Sequence, residues 1–257
     1  MGVRIGLSAM AYEIREKIGV CQKLKLNHIE VGIDNLEDWN YLYQNKDELI
    51  KHDISIGIHM PIELNTCDPI KMANKFWFDY FYENYKIGKK LNVKYYNLHL
   101  GYGIKNKIEK NRIGYLNNTK NFLLKLLNNI DNVEIYIENT YSKNGDFINL
   151  GNKVSDFEYL FKNVTKYSLG FCYDTGHNLI DKGDYLSLLS DNIKLVHLSD
   201  NDGKEDLHLG LSENGLLTEK DIKDILKIKK NKYLVFEMNT KYLGESMNFF
   251  RNIQKSI

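Results

Sequence analysis

Residues 193–210, IKLVHLSDNDGKEDLHLG, decide how the rest of the chain is read. The apolar run Ile193–Leu198 has the composition of a buried strand and carries His197 near its end. The loop beyond it holds an Asp-x-His pair, Asp206 and His208. The same local signature recurs along the chain, an apolar run that ends on a metal-ligand residue type. ISIGIHMP ends on His59, VKYYNLHLG on His99, VEIYIENT on Glu138 and YLVFEMN on Glu237, while LGFCYDTGH carries Asp174 and, three residues on, His177.

Helix-like stretches fill the intervals between these runs. VRIGLSA opens the chain and is followed by a helical pattern over 13–26; HIEVG is followed by one over 36–51. Further helical patterns cover 70–91, 111–129, 154–164, 181–190, 218–227 and 241–255. Eight βα units with short connections predict a single (β/α)8 TIM barrel across residues 1–257. The competing topology, an open doubly wound sheet, calls for a Gly-rich turn after the first strand, and GLSAMAY does not supply it.

A barrel brings the C-terminal ends of its strands to one mouth. His59, His99, Glu138, Asp174, His197 and Glu237 then arrive from strands three to eight, and the tight DTGH turn returns His177 to the same place. Asp206 and His208 reach it from the loop after strand seven. A single strand-end His or Asp is more often a hydrogen-bonded structural residue than a ligand. Nine of them on successive strands are another matter, because so many buried ionised groups are costly without cations to balance them. Mixed nitrogen and oxygen ligands suit zinc or manganese, and carboxylates can bridge two ions.

Bulk composition narrows the partners. The 257 residues are 43% hydrophobic and 27% charged, ordinary for a globular chain. Thirty-five Lys+Arg against 34 Asp+Glu give a net charge of +1, so no strong field draws the chain to nucleic acid or an anionic membrane. Arg4, Arg15, Arg112 and Arg251 are the only arginines, few for bidentate phosphate recognition. Cys21, Cys67 and Cys172 lack paired spacing, and no secretory or membrane segment is evident, so a reducing cytoplasm is expected. The Lys/Asn clusters at 104–111 and 227–232 read as solvated loops.

The strings IHMPIELN, NLHLG, IENT, YDTGHNLI, VHLSDNDGKEDLHLG and FEMN resemble the strand-end motifs of the xylose isomerase-like TIM-barrel superfamily. That superfamily joins sugar phosphate isomerases and epimerases with endonuclease IV, the apurinic/apyrimidinic endonuclease family. In the endonuclease branch the resemblance implies nine ligands for three zinc ions: His59, His99, Glu138, Asp174, His177, His197, Asp206, His208 and Glu237. In the isomerase branch it implies one metal on Glu138, Asp174, His197 and Glu237, with Glu138 and Glu237 as the catalytic acid and base. Where the family continues with a Gly-Glu-Gly turn, this chain has Ser212, Glu213 and Asn214, of which Asn214 can take the left-handed conformation. NLHLGYG lacks the endonuclease's His-Pro-Gly run, and the chain is shorter than is typical of that branch.

The reading put first is therefore a divalent-metal-dependent isomerase or epimerase acting on a small sugar or sugar phosphate. The alternative is a trinuclear zinc phosphoesterase like endonuclease IV, with nucleic acid not favoured as the partner. A non-catalytic metal- or sugar-binding barrel comes third, since it predicts broken ligands and none is broken. Substrate identity and oligomeric state are not written in the sequence. Glu30 ends strand two and either faces the mouth or makes a structural salt bridge. Asp200 and Asp202 are expected to shape the loop after strand seven, and Lys204 and Lys241 to be solvated. The aromatic stretch FWFDYFYENY, 76–85, is expected to pack on the barrel or a partner subunit rather than stack on bases. His28 and His52 lie on the wrong side for the mouth and are excluded.

Overall fold

The computed structural model describes residues 2–142, 145–166 and 168–257. Its strands are β1 (Arg4–Met10), β2 (His28–Gly32), β3 (Ser55–His59), β4 (Tyr95–Leu98), β5 (Tyr102–Ile104), β6 (Glu134–Glu138), β7 (Phe147–Asn149), β8 (Leu169–Asp174), β9 (Ile193–Leu198) and β10 (Tyr233–Phe236). All but β5 and β7 pair in parallel and close into a barrel in the order β1-β10-β9-β8-β6-β4-β3-β2. Helices such as Ile14–Leu24, Lys71–Lys89 and Arg112–Asn129 lie between successive barrel strands, and Thr240–Lys255 follows the last. The eightfold closure expected from the repeating strand-end pattern is observed, and the open sheet is excluded. Among the described residues no helix is long and apolar enough to cross a membrane.

The two-residue alternation of a strand sets what faces inward. In β6, Ile135 and Ile137 pack into the large cluster beneath the helices, whereas Tyr136 joins Tyr95, Cys172, Leu195 and Val235 in a separate cluster inside the barrel. Each of these five floor residues stands two positions before a residue of the mouth: Asn97, Glu138, Asp174, His197 and Glu237. Two strand residues span about 6.5 Å, so one layer of side chains separates the apolar floor from the site. The tyrosines need space there. A Cβ at Gly57 would fall within the Tyr95 ring, and one at Gly170 against Tyr136 and Lys194.

Three segments depart from expectation. Residues 104–111 do not form a solvated loop. β5 pairs antiparallel with β7, Gly103 opposite Ile148, and the helix Lys105–Lys110 buries Ile108. A single apolar anchor, Ile108, is too sparse a signal to read through so many lysines. The single helix expected over 36–51 is two, Trp39–Gln44 and Lys46–Lys51, broken at Asn45 (φ −110°). The turn after β8 is itself a helix, Thr175–Ile180, capped by the Asp174 side chain. At the start of the expected strand 167–174, Tyr167 lies outside the described residues.

Candidate metal centre

Glu138, 1% exposed at the end of β6, is the hub of the mouth. Its carboxylate oxygens lie 3.2 Å from His59 Nε2, 3.6 Å from His99 Nε2, 3.4 Å from His177 Nδ1 and 3.4 Å from His197 Nδ1. Around it the other strand ends converge as barrel geometry requires. His197 Nδ1 is 2.7 Å from Glu237 Oε2 and 3.6 Å from Asp174 Oδ2. Asp206 Oδ2 lies 3.2 Å from His177 Nε2 and 3.4 Å from His208 Nε2. All nine residues expected at the mouth are thus brought into one connected set.

Local backbone contacts aim these rings. His59 Nδ1 is 2.8 Å from the Met60 carbonyl, His177 Nδ1 is 2.8 Å from the Asn139 carbonyl, and His208 Nδ1 is 3.1 Å from the Glu237 carbonyl. A neutral ring that donates Nδ1–H to a carbonyl turns the Nε2 lone pair toward the carboxylates, the tautomer a metal ligand needs. In the loop after β9, His208 (φ 47°) and Gly203 (φ 73°) adopt the left-handed conformation, and Asn214, which could have done so, does not. The Asp200 side chain accepts from Asn201 N and Leu217 N, and Asp202 from Lys204 N and Glu205 N. Both aspartates shape the loop rather than join the set.

The residues present fit divalent ions. His59, His99 and Glu138 offer ligand atoms all within 4.8 Å of one another, and so do Glu138, Asp174, His197 and Glu237. His177, Asp206 and His208 form a third trio joined through Asp206 Oδ2. Among the described residues, ten buried side-chain nitrogen or oxygen atoms lack a hydrogen-bond partner. Seven of them belong to Asn97, His99, Asp174, His197, Asp206 and Glu237. Most of these atoms face an oppositely charged group without a well-directed hydrogen bond, an arrangement that a cation bound among them would complete.

The electrostatics point the same way. Burial by itself raises the pKa of Glu138, but the imidazoles of His197, His99 and His59 overcome it and hold the carboxyl well below its ordinary range. Burial opposes charge on His59 too, yet Glu138, Glu30 and Glu237 lift it to about 9. Despite burial, His177 is raised well above its ordinary value by Asp174, Asp206 and Glu138, and His197 by Cys172 and then by Glu30, Glu237 and Glu138. The carboxylates thus create a site of high affinity for positive charge, with protons and metal ions as competitors. Cys172 also comes within ligand distance of Glu138 and His197, but burial holds its thiol protonated.

Three residues of the site were not assigned from sequence. Asn97 donates to Glu138, and its signal was its place two residues before His99 on the inward face. Asn139 clamps β6 to β8, donating to the Asp174 carbonyl at 2.9 Å and accepting from Asp174 N at 2.7 Å. Glu30, left open between two roles, faces inward at 1% exposure, accepts from the Tyr95 hydroxyl at 2.7 Å and sits 2.9 Å from His197 Nε2. His28 is buried in the floor, and His52 pairs with Glu48 on the outer surface. Neither reaches the mouth.

The family model of the xylose isomerase-like TIM barrel matches residues 19–253. The chain belongs to that family. An uncharacterised protein of Methanocaldococcus jannaschii, MJ1614, is 25% identical over 231 residues, covering 86% of this chain and 84% of its own. A D-tagatose 3-epimerase-like protein superposes with a TM-score of 0.83 at 17% identity, covering 98% and 97% of the two chains. Endonuclease IV of Thermus thermophilus superposes at 0.69 with 14% identity, covering 99% of this chain and 100% of its own. At such identities these structures share the fold. Because the likeness spans the endonuclease from end to end, chain length does not separate the two branches of the family.

A cleft of about 930 Å³ opens over the mouth. Of the nine ligand-type residues only His59 and Glu237 line it, so it meets the cluster from one side. Its remaining walls bring Glu13, Lys17, Glu30, Asp34 and Glu63 together with Met10, Phe76, Trp77, Tyr80 and Asn239. Lys17 is the one basic residue among them and is paired with Glu13 at 3.3 Å.

Proposed function

We propose that this protein is a polynuclear divalent-metal phosphoesterase acting on a small, sugar-bearing phosphate ester. The observation that carries this reading is the double environment of Glu138: one oxygen faces His59, the other faces His99, His177 and His197, and both ligand groups depend on it. A carboxylate so placed is suited to bridging two cations. His59, His99 and Glu138 would hold one ion; Glu138, Asp174, His197 and Glu237 a second; His177, Asp206 and His208 a third. Divalent ions bound there supply Lewis acidity and concentrated positive charge toward phosphoryl oxygens. The chain's own part is to fix the ligands through the Met60, Asn139 and Glu237 carbonyls, to admit the ester over His59 and Glu237, and to keep bulk water off the buried carboxylates.

The cleft favours a small substrate over a duplex. A nuclease neutralises several phosphates with basic side chains, whereas this cleft presents carboxylates and a single paired lysine. The isomerase or epimerase reading keeps its own support in the four-residue group Glu138, Asp174, His197 and Glu237, which suffices for one ion. It leaves His59 and His99 without a task and asks Glu138 to work as a base while imidazoles crowd both its oxygens, a poor setting for taking up a proton.

The test sets the two chemistries side by side. With zinc or manganese added, hydrolysis of bis(p-nitrophenyl) phosphate and of ribose 5-phosphate is followed together with C3 epimerisation of ketoses by NMR. Metal-dependent ester hydrolysis abolished by EDTA is expected, with no epimerisation and negligible incision of duplex DNA carrying an abasic site. Epimerisation without hydrolysis would overturn the proposal and promote the isomerase reading.

A further inference from the structure

The helix Lys71–Lys89 carries two aromatic faces. Phe78, Phe81 and Tyr85 are buried against the barrel, as expected of the 76–85 stretch. Phe76, Trp77 and Tyr80 line the cleft over the mouth; Phe76 is 58% exposed, while Trp77 and Tyr80 are half-buried, each resting partly on the core. Their rings brace one another, Phe76 edge-on to Trp77 at 5.1 Å and Trp77 edge-on to Tyr80 at 6.2 Å. The Tyr80 hydroxyl donates to the Asp34 carbonyl at 2.7 Å, which ties the aromatic wall to the loop after β2. Beside this wall stand the carboxylates of Asp34 and Glu63. Partial burial, and then repulsion from Asp38 and Glu63, push the Asp34 carboxyl above its ordinary pKa, as befits a site with surplus negative charge.

An apolar wall left open inside a catalytic cleft is costly unless a ligand covers it. Each half of the wall restricts what that ligand can be. Braced aromatic rings hold a flat ring by stacking, a contact worth about tenfold or more in affinity and tolerant of ring identity. Carboxylates along one side accept hydrogen bonds from N–H donors and repel further phosphates. We propose that Phe76, Trp77 and Tyr80, with Asp34 and Glu63, form a subsite for a neutral heteroaromatic ring bearing N–H donors, the non-reacting end of a substrate that carries one phosphate at the metal centre. The inference rests on the phosphoesterase reading for the placement of that phosphate, while ring binding itself requires no turnover.

Trp39 is buried and hydrogen-bonded to Asn84, so Trp77 is the tryptophan whose fluorescence reports on the cleft. Metal-supplemented full-length protein would be titrated with adenosine, inosine, adenosine 5′-monophosphate and ribose 5-phosphate, reading Trp77 emission and, by calorimetry, affinity. Quenching by the three ring-bearing probes is expected, with the adenosine monophosphate bound at least about tenfold more tightly than ribose 5-phosphate. Trp77→Leu, which keeps apolar volume, and Phe76→Ser, at an exposed position, should each remove most of that preference. Glu63→Gln should weaken adenosine more than inosine, which lacks the exocyclic amine. Equal affinity for ribose 5-phosphate and adenosine monophosphate would overturn the subsite, as would affinities unchanged in both aromatic variants. Self-association that Phe76→Ser abolishes would also overturn it, giving the wall to a second copy of the chain. Ring binding without any ester hydrolysis would uphold the subsite and count against the phosphoesterase reading alone.

Discussion

The floor and the mouth of the barrel are built by the same strands two residues apart, yet their polar groups behave in opposite ways. In the floor, buried His28 places its two ring nitrogens 2.8 Å from Ser55 Oγ and 2.8 Å from the Tyr95 hydroxyl. Burial first, helped by nearby Arg4, depresses its pKa to about 3, so the ring is neutral and fully partnered. In the mouth, equally buried His197 faces a carboxylate on each side, Glu237 2.7 Å from Nδ1 and Glu30 2.9 Å from Nε2, and Cys172 together with these carboxylates raises its pKa well above the ordinary value. Burial is the same; what differs is the charge of the partners, neutral hydroxyls in the floor and carboxylates in the mouth. Neutral partners leave a buried histidine neutral, whereas crowded carboxylates favour positive charge at the same depth, a demand that a bound cation would also meet. Tyr95 and Glu30 join the two layers, because the hydroxyl that meets His28 also donates to the carboxylate beside His197.

The sharpest way to break this contrast is to remove the hub. Glu138→Gln should lower turnover by about a thousandfold or more and cost at least one bound ion, with circular dichroism unchanged, because it withdraws one negative charge shared by two ligand groups. Turnover within tenfold of wild type would mean that the mouth is not the reacting centre.

A smaller effect is expected at the junction of the layers. Glu30→Gln leaves the side chain's shape but weakens its hold on His197, and zinc affinity measured by chelator competition should fall about 10- to 100-fold. Unchanged affinity would make Glu30 a packing residue of the floor.

Acid should then separate the layers. The unfolded chain protonates its histidines near pH 6.5, whereas folded His28 stays neutral down to about 3. Between those values the unfolded state binds the extra proton, so His28 withdraws stability as pH falls below 6.5, on the order of several kcal/mol when complete. Urea midpoints from pH 7.5 to 4.5 should therefore decline less steeply in His28→Phe, which keeps a ring in place, than in wild type. Parallel declines would show that His28 titrates normally. The smallest effect belongs to His52→Ala on the outer surface, where metal content and activity should not change.

The eight barrel strands and the nine mouth residues were legible in the sequence for one physical reason. A strand's alternation is local, so an apolar run ending on His, Asp or Glu announces both the strand and its inward terminus. The partners of those residues were less legible. Glu30 meets His197 across the barrel, and HIEVG contains nothing that distinguishes a floor carboxylate from a surface one. Asn97 and Asn139 carry no ligand chemistry and are recognisable only once neighbouring strands are in register. The two faces of the 71–89 helix share one aromatic composition, and sequence periodicity does not say that Phe76, Trp77 and Tyr80 overhang the mouth. Residues 102–110 were missed because lysine density masked a short strand and a single-anchor helix.

The central claim is that the mouth is a polynuclear centre, and counting ions tests it most directly. Protein purified without chelator, with zinc and manganese supplied during growth, should contain more than one divalent ion per chain by elemental analysis. The double variant His59→Ala/His99→Ala should lose about one of them while keeping the ion held by Asp174, His197 and Glu237. One ion at most in the wild-type chain, unchanged when His59 and His99 are removed, would contradict the account and leave a mononuclear site of the isomerase kind.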